Sequence, residues 1–468
     1  MGKPGRELAA NSGGAPAMRL LFFTPVSKRS AIGRMASLVV PELVAQGHDV
    51  TVIGTESPRF RDEETHRFDT PVIAWNEFEH VGQRVTTADL CIYQIGDNYE
   101  FHEGCLHWMP AARGIVCLHD FFIGHLFCGW AQSRPGEANA ILRHWYGDAI
   151  AERFFSYTSG NTFIDKTRDA APMTEWIGAM ALGVVTHSSW GCDRVLKSCA
   201  GPVSVVPLPY DAPAARSQRP PVHTEAGCMQ VLTIGHVNSN KRVESVIKAI
   251  GTKTTLRNNV TYKLVGHVAP QMVLSLSHMA RSYGVNLVIA GEVDDTALAQ
   301  AIAESDVVSC LRWPTLEAAS ASAIEAMLYG KAVICTDAGF YSEIPDECVL
   351  KVSSDNEIDD IASSLLALIA DREKITEIGE KAQRWATDTF SAAVYARSLT
   401  DIAQRALIAK PVIDACRSLS AIAASWSATI ANPLREEDLA ALEIFSGGRD
   451  AKVAPASAAP QADDLQLT

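Results

Sequence analysis

The feature that most constrains this chain is a rhythm that occurs twice, short apolar runs alternating with helix-patterned stretches. In the first half the runs are Arg19-Leu-Leu-Phe-Phe-Thr24, His48-Asp-Val-Thr-Val-Ile53, Leu90-Cys-Ile-Tyr-Gln94, Gly114-Ile-Val-Cys-Leu118, Gly183-Val-Val-Thr186 and Val203-Ser-Val-Val206. A proline-rich break follows, with Pro207, Pro209, Pro213, Pro220 and Pro221. The rhythm then restarts with Val231-Leu-Thr-Ile234 and continues through Tyr262-Lys-Leu-Val265, Asn286-Leu-Val-Ile289, Asp306-Val-Val-Ser309 and Ala332-Val-Ile-Cys335. Short apolar runs separated by helices fold as buried parallel strands with helices on both faces. The expected fold class is therefore α/β, two doubly wound domains. Ligands of such sheets bind beyond the carboxyl ends of the strands, so the site is expected between the halves.

The expected organisation is a disordered segment over 1–17, a first domain over 18–208, a linker over 209–222 and a second domain over 223–392. Helices over 393–446 and a disordered tail over 447–468, rich in Ala, Pro and Asp, complete it. The formal net charge of -13, with no lysine- or arginine-rich block, argues against nucleic acid as a partner. The 11 cysteines form no Cys-x-x-Cys pair and no zinc-spaced set, and several sit in apolar runs. Buried thiols in a reducing, cytoplasmic setting are the expectation. The N-terminal residues lack the apolar stretch of a signal peptide, and no run reaches the ~18–20 apolar residues of a membrane span. Peripheral contact with the inner face of the membrane stays open.

The most informative stretch runs from Arg312-Trp-Pro-Thr-Leu-Glu317 through Ala318-Ala-Ser-Ala-Ser322 to Ala323-Ile-Glu325 and Gly330. It reads as strand, loop, helix and stop. Small residues from Ala318 to Ala323 let a ligand approach the backbone. A helix starting near Ser320 or Ser322 offers free amides and a positive dipole end, which suits a diphosphate. Ser322-Ala-Ile-Glu325 also has the form of a capping box, in which Glu325 would fold back on the helix start.

Glu317 and Glu325 are separated by seven residues in this context. The stretch, with Thr336-Asp-Ala-Gly339 and Glu343-Ile-Pro345 after it, resembles family 4 of the retaining, GT-B-fold glycosyltransferases. That resemblance implies two Rossmann-like domains facing across a cleft, the first on the acceptor side, the second binding a nucleotide sugar, with C-terminal helices crossing back. It implies that Glu317 acts beside the donor sugar and that Glu325 accepts from the ribose hydroxyls, as a carboxylate can from a vicinal diol. Ala319, Ser320 and Ala321 would offer the diphosphate their backbone. Ser320 and Ala321 stand where the family often has glycine.

Gly235-His-Val-Asn-Ser-Asn-Lys241-Arg242 follows the first strand of the second half. The resemblance places Gly235, His236, Lys241 and Arg242 at the donor diphosphate, His236 standing where many relatives carry arginine. Val293, in Gly291-Glu-Val-Asp-Asp295, would meet the nucleobase through its backbone. In the first half, Gly33 would lie beneath the phosphates, and Lys28, Arg29 and Arg34 around it could meet an acceptor phosphate. His119 and Asp120, in Cys117-Leu-His-Asp120, would face the cleft, the histidine touching donor sugar or phosphate. No spaced Asp-x-Asp calls for a metal and no Gly-x-Gly-x-x-Gly calls for a dinucleotide, so neither metal nor cofactor is expected beyond the donor itself. The activity implied is transfer of a hexosyl unit from a nucleotide diphospho-sugar to a glycan or lipid-linked acceptor in cell-surface polysaccharide assembly. The alternatives are a nucleotide-sugar 2-epimerase and a non-catalytic glycosyltransferase-like subunit.

Overall fold

The computed structural model describes residues 16–60, 62–212 and 227–425. The expected N-terminal segment up to residue 15, most of the linker, the helical region beyond 425 and the tail lie outside the described residues.

The first sheet holds β1 (Arg19–Thr24), β2 (Asp49–Gly54), β3 (Val72–Ala74), β4 (Leu90–Ile95), β5 (Gly114–Leu118), β6 (Gly183–Thr186) and β7 (Val203–Val205) in the order β3-β2-β1-β4-β5-β6-β7. The second holds β8 (Met229–Ile234), β9 (Val260–Val265), β10 (Asn286–Gly291), β11 (Val307–Cys310), β12 (Ala332–Thr336) and β13 (Leu350–Val352) in the order β10-β9-β8-β11-β12-β13. Every strand pair is parallel. In each sheet the winding reverses beside the first strand, so the loops after β1 and β4, and after β8 and β11, open at the switch points where such folds bind ligands.

Two cores match the two rhythms. Every residue of β4 and β5 is buried, and Phe23 stacks on Tyr93 with ring centroids 4.5 Å apart. Val231, Leu264, Ile334 and Leu365 anchor the second core. Each such side chain contributes about 1.5–3 kcal/mol by leaving water. The edge strand β10 alternates exposed and half-buried positions, as one-sided cover requires. The sequence runs did not reveal β3 and β13. Each is three residues long at or next to an edge, too short for a period to register.

The helix Ala392–Ser425 meets the first half through its opening turns, as expected of a C-terminal helix that crosses back. Thr400 donates to Gln46 Oε1 at 2.9 Å and meets His48 Nε2 at 3.0 Å. No helix among the described residues is long and apolar enough to cross a membrane.

Candidate active site

The loop after β8 turns at Gly235, where φ is +81°, a conformation that favours glycine. The chain then makes a short 3-10 turn over Ser239–Lys241, capped by the side chain of Asn238. That turn sends the Lys241 side chain back under the strand end. It is buried, and its Nζ donates to the Ile234 carbonyl. A methyl group at Gly235 would stand 2.9 Å from Lys241 Nζ and 4.0 Å from Ser322 Oγ, so glycine, lysine and helix start converge on one spot. Burial, then the neighbouring Arg312, lowers the Lys241 ammonium to about 7.

Two residues expected at this spot are held elsewhere. Arg242 turns its guanidinium to the buried Glu357, with Nε and Nη2 each 3.0 Å from Oε2, and so neutralises a carboxylate at the start of another helix. His236 is exposed and its ring packs 5.1 Å from that of His267. Neither lines the cleft.

That cleft encloses about 360 Å³. Gly235, Ala321, Ser322 and Glu325 line it from the second half, with Asp295; Lys28, Arg29, Ser30, Ala31, Arg34 and His66 line it from the first, Lys28 paired with Glu64 and Arg29 with Glu63. The helix Ala321–Leu328 is capped by Ser320, whose Oγ accepts from Ala323 N. The capping-box alternative therefore does not hold. Glu325 lies in the second turn, and its Oε1 accepts from Arg34 Nη1 at 3.3 Å. Ala319 and Ser320 are buried behind Ala321. Gly33 does not line the cleft. A Cβ there would stand 2.6 Å from the Pro25 carbonyl oxygen, so its smallness serves the packing of the first helix against the loop after β1. Val293 is 39% exposed in the loop after β10. Beside it, Asp294 caps the next helix through Ala297 N at 2.8 Å.

The loops after β5 and β11 join by backbone. Phe121 N donates to Leu316 O at 2.8 Å and Ala318 N to His119 O at 2.9 Å, which sets Asp120 opposite Glu317. Glu317 Oε1 accepts from Tyr341 at 2.6 Å and stands 3.3 Å from Arg312 Nε. Neither Lys241 nor Glu317 lines the cleft itself: Lys241 Nζ lies behind Gly235, within the field of Arg312 and Glu317. The His119 side chain is pinned beneath, Nε2 to Gln94 Oε1 at 2.8 Å and ring against His187 at 4.7 Å. Burial holds it well below the usual imidazole range, hence neutral. Asp120 accepts from Asp97 N at 2.8 Å. Burial, with Asp97 and Glu317 nearby, pushes its carboxyl up to about 8.

Sequence reasoning passed over Arg312, Tyr341, His125 and Asp97 as site residues. Asp97 lies at the end of β4, with Oδ2 2.6 Å from His125 Nδ1, and a polar residue just past a buried strand was the available signal. Tyr341 is distant in sequence and gave none. Ser189 N and Oγ both meet Glu343 Oε1 at 2.8 Å, a further contact between the halves. Among the described residues no group of three or more His, Cys, Asp or Glu is arranged to hold a metal ion.

Proteins of known structure share this paired parallel-sheet fold. Residues 218–385 match the family described as Glycosyl transferases group 1. Sucrose-phosphate synthase from Thermosynechococcus elongatus is 15% identical with a TM-score of 0.57, over 82% of this chain and 98% of its own. A glycosyltransferase from Rickettsia africae is 14% identical with a TM-score of 0.57, over 84% and 99%. Anabaena HepE, solved with UDP and glucose, is 16% identical with a TM-score of 0.53, over 82% and 98%. No curated protein matches the chain. The second half is thus a glycosyl transferases group 1 domain, the whole has the GT-B architecture, and the chain is a glycosyltransferase.

Proposed function

We propose that this enzyme transfers a hexosyl unit, with retention of anomeric configuration, from a nucleotide diphospho-sugar to a hydroxyl of a glycan or lipid-linked acceptor in cell-surface polysaccharide assembly. The observation that carries the reading is the convergence of Gly235, Lys241 and Ser322 beside the cleft that Glu325 lines. Glu325 suits the ribose diol. Lys241 and the free amides of the helix Ala321–Leu328 suit the diphosphate. Glu317, fixed by Tyr341 and Arg312, suits the sugar.

The reaction follows from that assignment. The acceptor oxygen bonds to the anomeric carbon on the face from which the diphosphate leaves. The carbon–oxygen bond to phosphate breaks, and the departing phosphate oxygen takes the acceptor proton. No covalent nucleophile is needed. The protein supplies alignment and stabilises the negative charge growing on the leaving group. Asp120, kept protonated near neutrality, adds no negative charge beside it.

The test is to incubate the chain with UDP-, GDP- and ADP-sugars without acceptor and analyse the products. Slow release of nucleoside diphosphate and free sugar, lost in Glu317→Ala, is expected. A new nucleotide sugar would mean an epimerase, and no turnover with binding intact would mean a non-catalytic subunit.

A further inference from the structure

Arg34 belongs to the first turn of the helix Ala31–Ala45 in the first half, yet its guanidinium ends in the pocket of the second. Nη1 donates to Glu325 Oε1 at 3.3 Å. Nη2 donates to the Asp211 carbonyl at 3.1 Å and stands 3.6 Å from Asp211 Oδ1. The guanidinium carbon lies 4.5 Å from the centre of the Tyr210 ring. One side chain is thus seated by the segment that leaves the first half and aimed at a carboxylate of the second. The seat is tied into the fold: Tyr210 is buried and Tyr210 N donates to Phe390 O at 3.1 Å. Arg34 engages Oε1 of Glu325 and leaves Oε2 for another donor.

We infer that Arg34 is a positioning residue for the nucleotide: it holds Glu325 charged and oriented to receive the ribose hydroxyls, so that the first half completes the nucleotide pocket of the second. This rests on the proposed reading of Glu325 as the ribose carboxylate. It differs from the expectation that Arg34 meets an acceptor phosphate, because Nη1 and Nη2 already meet oxygens of Glu325 and Asp211.

The surroundings explain why Glu325 needs such a partner. Arg34, Tyr210, Asp211, Asp295 and Tyr329 face it, and His66 faces Arg34. Burial raises the Glu325 carboxyl, Asp211 and Asp295 raise it further, and Arg34 opposes them through charge and hydrogen bond. Without Arg34 the opposition is gone and the carboxyl rises. A carboxylate serves the ribose when ionised, so nucleotide affinity is then lost at a higher pH as the solution is acidified.

The experiment titrates UDP, GDP and ADP into the full chain and its variants from pH 6 to pH 8.5; ribose is common to all three. In Arg34→Met, affinity is expected to fall roughly tenfold at pH 6 relative to wild type, with the gap narrowing toward pH 8.5 as the Glu325 carboxyl ionises in both. Arg34→Lys restores most of the loss. In a Glu325→Gln background the Arg34→Met change adds no pH-dependent loss. Tighter binding in Arg34→Met would overturn the inference by making the arginine a competitor for Glu325. Unchanged binding at every pH would overturn it in favour of an acceptor-side role. An equal loss at every pH that lysine does not restore would reduce Arg34 to a structural tie. If wild type binds none of the three nucleotides, the proposed function falls and this inference with it.

Discussion

The two sheets share a winding, yet their strand ends carry different chemistry. In the first half the two polar groups just past β5 are neutral at pH 7. His119 is buried and unprotonated, and Asp120 keeps its proton to about 8. In the second half the corresponding groups are charged or poised to be: Arg312, Glu317 and Glu325, with Lys241 at about 7. The same fold therefore divides the labour. The second half concentrates charge at its strand ends, and the first contributes hydrogen-bonding groups there and sends Arg34 across to Glu325.

That contrast can be broken by mutation. The largest effect is expected for Lys241→Ala and Glu317→Ala, which should slow donor cleavage by on the order of 100–1000-fold, as loss of a charge-stabilising donor does elsewhere. Steady-state kinetics beside an unfolding curve would check it, and wild-type turnover in either variant would dissolve the contrast. Next comes Glu325→Gln, expected to weaken nucleoside diphosphate binding by roughly 10–100-fold with the fold intact, the worth of hydrogen bonds to a charged group. Smaller still is Asp120→Asn. An amide stands in for a carboxyl that is already protonated at pH 7, so turnover there should change less than about threefold. Above pH 8 wild type loses that proton and the variant does not, so the two pH–rate profiles should part on the alkaline side. The smallest effect on binding belongs to Arg242→Met. Nucleotide affinity should hold, while stability to urea falls by about 2 kcal/mol because Glu357 stays buried without its partner.

Legibility in the sequence followed the same division. The strand rhythm and the proline break anticipated both sheets, because fully buried parallel strands read as continuous apolar runs. Glu317, Glu325 and Lys241 were visible because the loops that present them are local: each lies within a few residues of a strand end or helix start. Arg242 and His236 shared that context, and the sequence could not tell them apart from Lys241. What separates them is where each side chain finds a partner, Glu357 for one and His267 for the other. Those partners lie far along the chain. Arg34 shows the same limit from the other side. It reads as a surface charge near a small-residue loop, and its contact with Glu325 exists only once both halves are folded. Tyr341 at Glu317 was hidden for that reason too.

The central claim is that the second half gathers its charge around a sugar diphosphate. Calorimetric titration of a nucleoside diphosphate at pH 8, repeated in buffers of different ionisation enthalpy, tests it most directly. Lys241, lowered to about 7, is mostly neutral at that pH, and a bound diphosphate favours its protonated form. Wild type should take up close to one proton per nucleotide at pH 8, and Lys241→Ala should take up almost none at that pH. Tight binding with the same proton count in wild type and variant would place the diphosphate away from Lys241 and contradict the account.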